Sequence, residues 1–433
     1  MDYQQARAFL NQTARYGSVY GLAGIRSLMA RLGDVQKHLR IIHVAGTNGK
    51  GSVCAMLASI LKTAGYRTGV YSSPAVFEPE EIIRVNGDMI SQEKFASLTQ
   101  TVQAACMDMR KEGLPHPTAF EVETAIAFCY FYQEHCDLVL LETGLGGAQD
   151  ATNLIAHPVC SVISQISRDH MALLGQTLEE IAAQNAGIIK AGCPCVSSAQ
   201  PPQVLEVLKH TAEEKGSPFL TADSSCIRHF SYDGTNSLFE TETLRGTLAL
   251  SGACQKENLS CVLAVAQVLQ EQGIRLTQED LLKGLSSVRL AGRLEKIADG
   301  PDIYIDGAHN EGAAYYLRET VRSCFAGRKV VYIIGVFADK EYEKLLEIML
   351  PYAAQVITVT PPHSRALDGK KLAETAEKLH PAVVWMPDMA QAVSFAKAAA
   401  GSTGVVLAFG SFSYLAGLKT AVQRQTADAD DDH

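Results

Sequence analysis

The chain has little with which to meet a polyanion or a lipid bilayer. Lys and Arg number 38 against 47 Asp and Glu, a net charge of −9, whereas a nucleic-acid partner would ordinarily need a basic face. No apolar run reaches the roughly 18 residues that a membrane-spanning helix requires. The opening Met1-Asp2-Tyr3-Gln4-Gln5 has neither the basic nor the apolar region of an export signal. Eleven cysteines follow no disulfide-scaffold spacing, and Cys54, Cys129, Cys160 and Cys261 fall inside apolar segments. They read as reduced, buried thiols. Cys193-Pro194-Cys195 has no matching Cys/His pair elsewhere, so zinc is not expected. These absences favour a cytoplasmic monomer with no nucleic-acid or membrane partner.

What is present begins at Ile41-Ile42-His43-Val44-Ala45, an apolar strand that runs into Gly46-Thr47-Asn48-Gly49-Lys50-Gly51-Ser52 and then into helix formers. Gly46, Gly49 and Gly51 let backbone N–H groups converge on one spot. Lys50 adds a positive charge, and Ser52 offers an oxygen to a magnesium ion. The usual phosphate loop, G-x-x-x-x-G-K-[ST], is longer and has no glycine between Lys and the hydroxyl residue. Glycine-rich turns also serve as plain connectors, but Lys, Ser, strand and helix together favour a nucleotide phosphate.

The 433 residues, 47 % of them hydrophobic, exceed what one core usually supports, so two domains are expected. Strand and helix patterns alternate through both halves, as in parallel sheets covered by helices. Strands are expected at 67–73, 137–142 and 159–166, a buried helix at 119–135 and a helix at 177–190. Residues 219–253 are richer in Thr, Ser and Gly and suggest further β structure. A second α/β series follows, with strands at 303–305, 330–336, 356–360, 383–386 and 405–409, which fits a doubly wound sheet. The division is placed at 1–290 and 291–424, leaving 425–433 as an acidic tail without regular structure.

Glu142 ends an apolar strand just before Gly144-Leu145-Gly146-Gly147, where such folds hold the magnesium of a nucleoside triphosphate. Ser73, at the end of the strand after the loop helix, is either a further hydroxyl ligand or a turn residue before Pro74. His170, in Asp169-His170, is either a ligand to a second metal ion or a polar loop histidine. Asp306-Gly307-Ala308-His309-Asn310 puts an acid, an imidazole and an amide at a strand end, the usual place for a ligand of a doubly wound sheet.

These motifs, with Tyr71-Ser72-Ser73-Pro74, Asp150-Ala151-Thr152-Asn153, Ala186-Gly187-Ile188-Ile189-Lys190 and Gly292-Arg293-Leu294-Glu295, resemble the folylpolyglutamate synthase/dihydrofolate synthase family of the Mur ligase superfamily nearly end to end. The resemblance implies an α/β fold of two domains, an N-terminal ATPase-like Mur ligase central domain with a phosphate loop and a C-terminal Rossmann-like ligase domain. It implies an ATP-dependent amide ligase whose substrates are a pterin- or folate-type acid and L-glutamate. Lys50, Glu142 and His170 would be catalytic. Residues 46–52, with Asn258, Arg293, Asp306 and His309, would surround the nucleotide. Ser52, Ser73, Glu142 and His170 would serve the metal ions.

Four positions depart from the family pattern. Asn185 stands where the family carries a lysine that becomes a metal-holding carbamate, so a second magnesium site is expected to be weakened while the first remains. Glu78 and Ile82 occupy positions where Arg is expected, and Ala148 replaces another Arg. Exchange of Arg for Glu reverses a local field. Two alternatives therefore stand beside the family activity: a ligase of the same mechanism for another acid or amine, and a nucleotide-binding protein without turnover.

Overall fold

The computed structural model describes residues 1–17 and 21–431, and the chain divides into two compact units. The first comprises 1–166, 171–226 and 257–288; the second comprises 167–170, 227–256 and 289–433.

The first unit is built on eight strands: β1 (Ile41–Ala45), β2 (Thr68–Tyr71), β3 (Ile83–Val85), β4 (Asp88–Met89), β5 (Leu138–Glu142), β6 (Cys160–Ile163), β7 (Cys195–Ser197) and β8 (Phe219–Thr221). Their order is β4-β3-β2-β5-β1-β6-β7-β8. The run from β2 to β8 is parallel, and β3 and β4 add an antiparallel edge. Every residue of β1 and β5 is buried. That explains their unbroken apolar runs: central parallel strands are covered on both faces.

The helix Ala119–Gln133 starts where Thr118 and Glu121 form a reciprocal cap, and Phe128 and Phe131 are fully buried. Gly69 makes room for Phe131, because a Cβ there would come within 2.7 Å of the ring. Truncating such a phenylalanine to alanine typically costs about 3–5 kcal/mol. The helix Lys50–Thr63 is anchored by close packing of Gly284, whose added Cβ would lie 2.5 Å from Ile60 Cα. Ser59 Oγ also donates to the Gly284 carbonyl at 2.7 Å. These contacts hold the second half of that helix.

The second unit contains an antiparallel sheet of β9 (His229–Tyr232), β10 (Ser237–Glu240) and β11 (Arg245–Leu248). Its main sheet has β12 (Glu295–Ala298), β13 (Asp302–Ile305), β14 (Val330–Ile334), β15 (Gln355–Thr358), β16 (Val383–Trp385) and β17 (Val405–Phe409) in the order β12-β13-β17-β14-β15-β16. Only β12 runs antiparallel to its neighbour.

A single cut near 290 therefore needs two exceptions, since 167–170 and 227–256 cluster with the second unit. The close fits of Gly234 to the Tyr304 hydroxyl and of Gly252 to Thr320 tie the small sheet there. The helix 177–190 is shorter than expected: it spans Leu178–Ala186, after which Ile188 and Ile189 turn fully into the core. The expected unstructured tail also differs, because the last helix runs Leu415–Asp431. Positions 432–433 lie outside the described residues.

Candidate active site

At the carboxyl end of β1, Gly46 adopts φ +131° and Gly49 φ +90°, conformations that glycine tolerates best. There is no room for side chains either: a Cβ on Gly46 would lie 2.2 Å from Ser164 Oγ, and one on Gly49 2.3 Å from Asn258 Oδ1. The N–H groups of Thr47 and Asn48 each donate to the Gln165 carbonyl at 3.0 Å, and that of Gly46 donates to Asn185 Oδ1 at 2.8 Å. Three amides of the loop are thus used to hold its shape. The following helix starts at Lys50, and its first-turn amides, including those of Gly51 and Ser52, find no acceptor within the helix itself. That end is the anion-binding one.

Lys50 Nζ donates to the carbonyls of Gly46 at 2.9 Å and Thr47 at 3.3 Å, so its charge lies inside the loop's curve. Ser52 and Glu142 are buried, and Glu142 pairs in register with Val44 on the adjacent strand. Ser73 follows β2, the other neighbour of β5. Asn258 is buried in the first turn of the helix Gln255–Glu271. The turn after Glu142 is fixed by Asp150, which accepts the N–H of Leu145 at 2.9 Å and the Thr152 hydroxyl at 2.6 Å. His43 Nε2 lies 2.8 Å from that hydroxyl oxygen, and complete burial pushes the His43 pKa down to about 3. The glycine hollow, Lys50, Ser52 and the Glu142 carboxylate fit a nucleoside triphosphate with a divalent cation.

In the second unit, Asp169 is the hub. Lys340 Nζ contacts its Oδ1 at 2.5 Å; Asn310 Nδ2 donates to Oδ2 at 3.1 Å, and His309 Nε2 lies 3.3 Å from Oδ2. Burial alone would raise the Asp169 pKa, but His309, Lys340 and His170 hold it well below the ordinary carboxylate range. His170 Nε2 is 2.9 Å from Lys340 Nζ, and burial pushes the imidazole pKa down to about 4, with Lys340 adding to the effect. The pairing of His170 with an ammonium is unlike a site prepared for a cation, and among the described residues no group of three His, Cys, Asp or Glu could hold a metal ion.

Asp306 is also in this unit. It accepts the N–H groups of Leu294 and Ala308 at 2.8 Å, and burial raises its pKa against the pull of Arg293. The Arg293 guanidinium stacks 4.4 Å over Phe412, whose ring fills the space a side chain on Gly307 would need. Lys340, Gln165 and Ser164 were not expected from the sequence. The signal for Lys340 is its loop, which follows the carboxyl end of β14.

The loop after Ser73 carries three acids, Glu78, Glu80 and Glu81. Glu80 and Glu81 are buried, and Glu81 accepts the N–H groups of Val76 at 2.9 Å and Glu78 at 3.3 Å. Glu80 accepts the Tyr3 hydroxyl. Ile82 is buried and its carbonyl accepts the Ser72 N–H at 3.0 Å. Glu80 and Glu81 are thus engaged within the loop, and Glu78 alone of the three is exposed. Ala148 is likewise packed, within 2.3 Å of a Cβ on Gly187.

Residues 44–266 match the Mur ligase middle domain and residues 292–412 the Mur ligase glutamate ligase domain. The chain is therefore a Mur-type, ATP-dependent ligase. It is 34 % identical over 429 residues to the dihydrofolate synthase/folylpolyglutamate synthase of Bacillus subtilis, covering 96 % of this chain and 98 % of the relative. A structure of Mycobacterium tuberculosis folylpolyglutamate synthase complexed with ADP superposes with a TM-score of 0.87 at 29 % identity, covering 98 % of each chain. The Escherichia coli protein FolC, solved in complex with DHPP and ADP, gives a TM-score of 0.83 at 28 % identity, again covering 98 % of each. The chain belongs to the folylpolyglutamate synthase/dihydrofolate synthase family.

Proposed function

We propose that the chain uses ATP to join the amino group of L-glutamate to the carboxylate of a folate- or dihydropteroate-type acid. The observation that carries this reading is the glycine hollow at the end of β1, with Lys50 inside it and Glu142 at the end of the neighbouring strand. A carboxylate oxygen of the acid attacks the γ-phosphorus of ATP and ADP leaves. The glutamate amine then attacks the acyl carbon, the amide forms, and phosphate departs with the proton released. Phosphate is a far better leaving group than oxide, which is why the reaction is divided.

Lys50 would hold the transferring phosphate, a role that matches its position against the loop carbonyls. Ser52, Ser73 and Glu142 would hold a magnesium ion, which neutralises phosphate charge when bound. His170 in its observed pairing with Lys340 does not fit a second metal. Asn258 in the first unit, and Arg293, Asp306 and His309 in the second, are assigned to nucleotide contact. The division at 1–290 and 291–424, amended at 167–170 and 227–256, separates phosphate-loop and glutamate-ligase functions. We assign the protein to the cytoplasm as a monomer acting on small molecules; cysteines that follow no disulfide-scaffold spacing support that compartment.

The test is phosphate release from ATP and magnesium with panels of pterin acids and amino acids. Release should require both a folate-type acid and glutamate. Release that ignores the acid, or none with any folate-type acid, would overturn the reading.

A further inference from the structure

Gly46, the first residue of the phosphate loop, is gripped from two sides. Lys50 Nζ binds its carbonyl at 2.9 Å, and Asn185 Oδ1 receives its N–H at 2.8 Å. Asn185 lies in the last turn of the helix Leu178–Ala186 and is 1 % exposed. The other end of its amide is engaged too, since Nδ2 donates to the Ile181 carbonyl at 2.8 Å. Next to it, the Gln184 carbonyl accepts the Ala148 N–H at 2.7 Å, and a Cβ on Gly147 would come within 2.8 Å of the Asn185 carbonyl oxygen. One helix end thus braces both the phosphate loop and the turn that follows Glu142.

A loop that must present amides to phosphate gains affinity when its shape is set before the ligand arrives. Gly46 cannot be held by its own packing side chain, because at φ +131° and with Ser164 Oγ 2.2 Å from a would-be Cβ it can carry none. The restraint on its N–H comes from outside the loop, from Asn185. A neutral amide can supply it with one acceptor for Gly46 and one donor to its own helix, at no cost in buried charge.

We propose that Asn185 is a positioning residue for the phosphate loop: it fixes the first amide of the loop and so sets nucleotide affinity, and it contributes no metal ligand. The proposal rests on residues 46–52 being the triphosphate loop. It gives position 185 in this chain a different task from holding a cation, since the side chain has no charge and both of its ends serve the backbone.

The experiment compares wild type with Asn185→Leu, which keeps the volume and removes both hydrogen bonds. Calorimetry measures ADP binding, hydrogen exchange follows the peptide containing residues 46–52, and electron paramagnetic resonance counts Mn2+ bound with ADP. The leucine variant should bind ADP at least tenfold more weakly, with faster exchange in the loop and a proportional fall in kcat/KM for ATP. KM for the acid and for glutamate should stay within about twofold, and Mn2+ per bound ADP should be unchanged. If the leucine variant does not fold, Asn185→Ser carries the same comparison. Wild-type ADP affinity in a folded variant, or fewer Mn2+ per bound ADP, overturns the proposal. Wild-type protein that binds no ADP overturns the phosphate-loop reading along with it.

Discussion

Lys340 Nζ stands 2.9 Å from His170 Nε2 and 2.5 Å from Asp169 Oδ1, with the Lys340 and Asp169 side chains each 8 % exposed. The ammonium donates to both, which requires an unprotonated Nε2 and leaves the imidazole neutral. Lys340 and His309 together compensate the buried Asp169 carboxylate.

Replacing Lys340 with Met should therefore do two things. Removing one partner of a buried pair costs about 3 kcal/mol or more, so urea unfolding of the second unit should move to a lower midpoint and give a stability lower by that amount. Glutamate-dependent turnover should fall more than tenfold, and ADP binding should weaken with it, because His309, assigned to nucleotide contact, shares Asp169 with Lys340. An unchanged unfolding midpoint would show that the contact is dispensable.

Lys50 Nζ donates to the loop carbonyls of Gly46 and Thr47. Lys50→Ala should leave circular dichroism and thermal midpoint close to wild type. It should lower kcat by at least about a hundredfold, the scale expected when one charge-stabilising donor is lost. Phosphate release near the wild-type rate would remove Lys50 from the chemistry.

The most local signals were the most legible. Glycines and a lysine between an apolar strand and helix formers mark the loop, because Gly46 and Gly49 each answer a steric need at their positions. The buried strands β1 and β5 announced themselves as unbroken apolar runs. By contrast β12 was missed: it is a four-residue edge strand beginning Glu295-Lys296, and charged edges do not look like strands. Lys340 was illegible for another reason. In Phe337-Ala338-Asp339-Lys340-Glu341 it reads as a solvated charge, whereas its ion pair with Asp169 spans 171 positions in sequence. Asn185 was read as a lost ligand because sequence shows what an amide cannot do, whereas its bond to Gly46 spans 139 positions.

His43 supplies a prediction about acid. Its folded-state pKa is near 3 against an ordinary 6.5, owing first to burial and then to Lys190. The unfolded chain therefore binds a proton that the folded chain refuses. The resulting stability is fully present above pH 6.5 and is lost as pH falls towards 3. At pH 5 the loss is about 2 kcal/mol relative to neutral pH. His43→Gln, which keeps a donor for the Thr152 hydroxyl, should reduce the loss of stability between pH 7 and 5 by about that amount. Parallel urea curves for the two proteins at both pH values would contradict the assignment.

We take the loop after Ser73 to face the acid, because the family resemblance implies basic residues at positions 78 and 82. If Glu78, Glu80 and Glu81 projected their charges, a polyglutamyl acid would be repelled. Because Glu80 and Glu81 are buried and occupied with Tyr3 and with the amides of Val76 and Glu78, only exposed Glu78 remains to act at a distance. An exposed charge is screened by salt and rarely contributes more than about 1 kcal/mol. Glu78→Gln should therefore change kcat/KM for a triglutamyl folate by no more than about fivefold, and less at high salt. Glu81→Ala, which releases the loop amides, should instead raise KM for every acid together, by about tenfold, with KM for ATP unaltered. The assay compares dihydropteroate, tetrahydrofolate and its triglutamate at two salt concentrations. Should Glu78→Gln improve the triglutamate tenfold or more over dihydropteroate at low salt, the loop's field selects the substrate after all, and internal use of Glu80 and Glu81 does not neutralise it.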